Sequence, residues 1–100
     1  MVRHVAVWRL AAADDAGRSA AVAEMRALLE ALPDLVPGVL SLEVGVNGLP
    51  GDTASDLVLT TSFADWSALR DYAVHPEHVR VAARIGQLTS ERRSVDYELD

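Results

Sequence analysis

The sequence predicts an α+β fold. A four-stranded antiparallel sheet carries its helices on one face, in the order β-α-β-β-α-α-β of a ferredoxin-like split βαβ unit. Segments with the two-residue alternation of strands open and close the chain and occur twice in its middle, while the stretches between them carry apolar residues at helical spacing. Half of the 100 residues are apolar, enough for one modest core, so a single domain over residues 1–100 is expected.

The first strand is Arg3 to Leu10, with His4, Ala6, Trp8 and Leu10 on one face and Arg3, Val5, Val7 and Arg9 on the other. Asp14 or Asp15 caps a long helix whose stripe of Ala21, Val22, Met25, Leu28, Leu29 and Leu32 stops at Pro33. Pro37-Gly38 introduces a second strand, Val39 to Val46, and the turn-forming residues from Asn47 to Asp52 separate it from a third, Asp56 to Phe63. Asp65 caps a short helix holding Trp66, Leu69 and Tyr72. Residue 75 precedes a proline and is pushed out of the α region, so this helix ends near Ala73 and another begins at Pro76. The last strand runs from about Arg92 to Leu99. Leu57, Leu59, Phe63, Trp8 and Leu10 form the helix-facing side of the sheet. The opposite face keeps Val5, Val7, Val58, Val95 and Tyr97 with no segment left to cover it, which predicts a symmetric homodimer through the sheet faces.

Composition narrows the chemistry. The net charge is −6, which opposes binding to a phosphate backbone, so nucleic acid is not an expected partner. No cysteine is present, which removes disulfides, thiolate nucleophiles and thiolate metal sites. No apolar run has the length of a membrane span and the start lacks a secretory block, so a cytoplasmic protein without membrane attachment is expected.

Tyr72-Ala73-Val74-His75-Pro76-Glu77-His78 gathers a phenol and two of the three histidines into seven residues. Histidine titrates nearest neutrality, so such a cluster can move a proton at ordinary pH. Helical spacing turns Tyr72 inward from the first helix of the pair. His78, with Ala82, Ile85 and the adjacent Val81, turns inward from the second, while His75 sits at the helix mouth. His75 and His78 share a face with Glu77 nearby, but no third inward ligand is evident and no metal is expected.

At these residues the chain resembles the stress-responsive A/B barrel (Dabb) family of the dimeric α+β barrel superfamily. The resemblance is carried by Arg3-His4-Val5, Val36-Pro37-Gly38-Val39 with Glu43-Val44-Gly45, Phe63-Ala64-Asp65, Leu69 through Val79, and Val95-Asp96-Tyr97-Glu98. It implies a monomer that pairs through its sheets to close a barrel, with a pocket between sheet and helices and no cofactor. In a plant polyketide cyclase of this family, the positions matching Tyr72 and His78 form the catalytic pair and the position matching Asp96 supports the histidine. The resemblance therefore names Tyr72, His78, Asp96 and the retained His4 as catalytic candidates, with His75, Trp8, Leu57, Leu59, Met25, Val81 and Ile85 around the pocket. This chain departs from the cyclase at Leu57, where the cyclase has a further histidine, and near Met25 and Arg26, where it has a tyrosine, which makes the pocket greasier.

Three functions are compatible with this reading. One is a cofactor-independent enzyme of polyketide cyclase or aldol type acting on a small hydrophobic, carbonyl-rich molecule. Another is a non-catalytic stress-responsive dimer that binds a small hydrophobic ligand. The third is a cofactor-free oxygenase of the same superfamily.

Overall fold

The structure is a computed structural model that describes residues 1–99. Its elements are β1 (Val2–Leu10), α1 (Asp15–Glu30), α2 (Leu32–Leu35), β2 (Ser41–Val46), β3 (Leu57–Phe63), α3 (Trp66–Val74), α4 (Pro76–Leu88) and β4 (Thr89–Glu98). The strands form one antiparallel sheet in the order β2-β3-β1-β4, the ferredoxin-like arrangement that the sequence pattern implies.

Each element begins where its residues give the backbone a partner. The Asp14 carboxylate accepts from Gly17 N at 2.7 Å and starts α1; Asp65 accepts from Ala68 N at 2.9 Å and starts α3. The chain turns from α2 into β2 at Pro37-Gly38, and Gly38 takes φ +94°, a left-handed backbone that favours glycine.

Three boundaries differ from the sequence expectation by more than one residue. Pro33 does not simply end α1. Near a helix start a proline loses no needed hydrogen bond, so residues 32–35 make one further turn, which places Leu32 and the following Val36 in the core. β2 begins at Ser41 rather than Val39, and Leu40 is exposed. β4 begins at Thr89 rather than Arg92, because Thr89 pairs with Leu10 across an irregularity between Arg9 and Leu10.

Strand alternation divides the sheet. Ala6, Trp8, Leu10, Leu57, Leu59 and Phe63 point to the helices, where they pack with Met25, Leu29, Tyr72, Val81 and Ile85 in one buried cluster. Val5, Val7 and Val58 lie half-buried on the other face, beside Val95 and Tyr97 at 55% and 39% exposure. All four helices lie on one side, so this face is uncovered.

Candidate functional site

The site forms where the α3–α4 corner stands over β1 and β4. His75, at φ −63° and ψ 135°, breaks the helix before Pro76, and its Nδ1 accepts from Glu77 N at 3.1 Å to cap α4. The break leaves carbonyls at the end of α3 without helical partners. His78 uses one of them, with its Nδ1–H donating to Ala73 O at 3.0 Å. In the neutral ring that contact leaves Nε2 as the lone-pair nitrogen. The imidazole lies against the phenol of Tyr72 with ring centroids 4.3 Å apart, and Phe63 supports the phenol from 5.0 Å.

Tyr72 is 2% exposed and its hydroxyl is buried without a hydrogen-bond partner among the described residues. A buried polar group in that state costs about 1–3 kcal/mol, so it marks a place where a ligand atom would be welcome. Burial pushes the phenol up to about 12, against a weaker opposing pull from Arg92, and the O–H stays a donor through neutral pH. Burial also holds His78 below the usual imidazole value, against an opposing pull from the Ala73 hydrogen bond, and this lowering favours the neutral ring that can accept a proton.

A third ring enters from the sheet. His4 on β1 and Asp96 on β4 are direct cross-strand neighbours, and His4 Nδ1 meets Asp96 Oδ1 at 2.5 Å. The expectation that Asp96 supports His78 is therefore corrected. Strand register gives the carboxylate to His4, and Ala73 already occupies the corresponding nitrogen of His78.

Two hollows share this ground. An inner cavity of about 260 Å³ is walled by Trp8, Leu29, Leu59, Val81 and Ile85, and an outer one of about 360 Å³ by Trp66, Leu69, Arg70, Ser94 and Asp96. His4, Tyr72, His78 and Arg92 border both. The inner volume is near the lower end for a small-ligand site. Of the residues expected around the pocket, Trp8, Leu59, Val81 and Ile85 line the inner cavity. Met25, Leu57 and His75 line neither hollow: Met25 is fully buried in the core, Leu57 stands one pair along the sheet opposite Trp8, and His75 is spent as a cap. Arg92 was not singled out for the site, although its alternation signal was available: Arg92, Ser94 and Asp96 share one face of β4, opposite Trp8, Ala6 and His4. Among the described residues no three histidine or carboxylate groups converge as a metal-ligand set.

The family model described as the stress responsive A/B barrel domain matches residues 2–99. A dimeric ferredoxin-like protein of unknown function from Bacteroides fragilis is similar in structure, with TM-score 0.88, 27% identity, and coverage of 98% of this chain and 95% of that one. A dimeric ferredoxin-like protein from Thermobifida fusca has TM-score 0.81 and 21% identity over 98% and 90% of the two chains. A hydroxynitrile lyase from Passiflora edulis has TM-score 0.82 and 12% identity over 99% and 93%. Comparison with curated protein sequences finds no match.

Proposed function

Since the chain belongs to the stress-responsive A/B barrel domain family, we propose that it is a cofactor-independent acid–base enzyme for a small hydrophobic carbonyl compound, with chemistry of the aldol or polyketide-cyclising type. The observation that carries this reading is the unpartnered Tyr72 hydroxyl beside the His78 ring at the junction of two hollows. In this reading Nε2 of His78 takes a proton from a carbon between two carbonyls. The Tyr72 O–H donates to the oxygen that gains negative charge, and the resulting carbanion attacks a further carbonyl of the same substrate molecule, forming a carbon–carbon bond. The proton held by His78 then passes to the new alkoxide. His4, with Asp96 on Nδ1, presents a second fixed imidazole bordering both hollows, and the carboxylate sets its tautomer. The aliphatic inner wall suits an apolar substrate body. The Passiflora edulis neighbour is itself a lyase, which supports lyase chemistry as compatible with this fold.

The same proposal includes a homodimer through the open sheet face, supported by its exposed Val95 and Tyr97 and by the dimeric neighbours.

Proton abstraction is tested directly with freshly prepared 3-oxooctanoate in D2O, following exchange at C2 by NMR. The wild-type protein is expected to accelerate exchange and His78→Ala to lose about 10²–10⁴-fold of that acceleration. Equal rates for the two proteins would remove His78 from the mechanism.

A second reading is a ligand-binding dimer without turnover, favoured by the largely apolar inner wall. It predicts thermal stabilisation by apolar carbonyl compounds with no exchange above the solvent rate.

A further inference from the structure

All nine basic residues of this acidic chain are arginines. Six of them, Arg9, Arg18, Arg26, Arg80, Arg84 and Arg93, are paired with carboxylates. Among the described residues the remaining three have no such partner. Arg3 is on the open sheet face, and the other two, Arg70 and Arg92, both line the outer hollow. Among the described residues the only side-chain hydrogen bond of Arg92 is a long one, 3.4 Å to Ser94 Oγ. The single carboxylate lining that hollow, Asp96, is engaged with His4.

An arginine left free in a chain of net charge −6, at the edge of a buried phenol and imidazole, has a geometry suited to an anion. A guanidinium offers a planar fork that matches a carboxylate with two parallel hydrogen bonds, and the exposed Arg92 side chain can present it to a ligand entering from solvent. Arg92 borders both hollows. An anion held there leaves the rest of its molecule to extend past Tyr72 and His78 into the aliphatic inner cavity.

We infer that Arg92 is a specificity-determining residue that binds a substrate carboxylate, with Arg70 adding charge at the mouth, so that the substrate class is an amphiphilic keto acid rather than a neutral ketone. This deepens the proposed function and rests on it for the word substrate; the anion site itself rests on Arg92 alone. The carboxylate at Arg92 and the apolar body inside would place the acidic carbon between acid and ketone opposite the Tyr72–His78 pair. Arg92 also lowers both groups electrostatically, consistent with its charge being felt there.

The test is binding, not turnover. Isothermal titration of the full chain at pH 7.5 compares 4-phenylbutanoate with 4-phenylbutanamide, which share a skeleton and differ in charge. The wild-type protein is expected to prefer the carboxylate by about tenfold or more, the scale of a charge-assisted hydrogen bond. Arg92→Gln should bring the two affinities together by weakening the carboxylate alone, Arg92→Lys should keep part of the preference, and Arg80→Gln, at an arginine that lines neither hollow, should keep it in full. Equal affinity in the wild type, no binding of either ligand, or an undiminished preference in a folded Arg92→Gln variant would each overturn the inference. A preference that follows Arg92 in a protein whose C2 exchange is indifferent to His78→Ala would leave the anion site standing and sink the proton-transfer reading.

Discussion

At the residue scale the informative atom is the Tyr72 hydroxyl, because it is buried and has no partner among the described residues. Folding alone would favour phenylalanine there. Tyr72→Phe is therefore expected to raise stability by about 1 kcal/mol, by removing an unsatisfied polar group while keeping the ring against Phe63. The same change should lower C2 exchange by about 10²–10³-fold, through loss of the donor to the developing oxyanion. Urea unfolding and NMR exchange on one preparation measure both; a stabilised variant with undiminished exchange would make the hydroxyl dispensable. His78 sets the pH response. Its folded pKa is lowered by burial, so the unfolded chain binds a proton first as pH falls. The contribution of His78 to stability is therefore intact above about 6.5 and is lost as pH drops from there toward the lowered folded value. For the same reason exchange should persist to a lower pH than an ordinary histidine base would permit, and a pH–rate profile reads this. Tyr72 acts at the other end. Its folded pKa is raised to about 12, so the unfolded chain ionises first and stability falls between about pH 10 and 12.

At the scale of elements, the α3–α4 corner is the device that makes the site. The Val74-His75-Pro76 sequence forces the break, and the break both turns the chain and frees the Ala73 carbonyl for His78. His75 serves the corner as a cap and not as a cavity residue. His75→Ala should cost about 1 kcal/mol of stability, the usual worth of a helix cap, with C2 exchange retained; denaturant midpoints and the exchange assay check the two halves. Much of this corner was legible in the sequence, since proline restricts its predecessor by local sterics and helical spacing turns Tyr72 and His78 inward. The partner of Asp96 was not. Which histidine receives that carboxylate depends on the β1–β4 register, a pairing between residues 92 positions apart that no local pattern specifies.

At the scale of the whole molecule the unresolved demand is the open sheet face. Val5, Val7 and Val58 are half-buried, Val95 and Tyr97 are exposed, and on the same side the Arg3 Nε is buried without a partner among the described residues. A second copy would cover the apolar groups and supply acceptors for the arginine, which supports the proposed dimer. Val95→Glu should then yield a monomeric mass by light scattering at micromolar concentration, with the far-ultraviolet circular dichroism of the fold retained. A wild-type mass of one chain would remove the dimer. The described residues contain no helix long and apolar enough to cross a membrane.

The sequence by itself determined the elements other than α2, and their faces, because alternation in strands, helical spacing, capping aspartates and proline restrictions act within a few residues of their cause. It also brought the Tyr72–His78 neighbourhood into view, since both residues belong to one corner. Only the tertiary structure decided that Asp96 belongs to His4, that Met25 and Leu57 stay out of the hollows, and that Arg92 stands free at their junction. Those outcomes depend on strand register and on how helices settle over a sheet, which are set by contacts between distant parts of the chain.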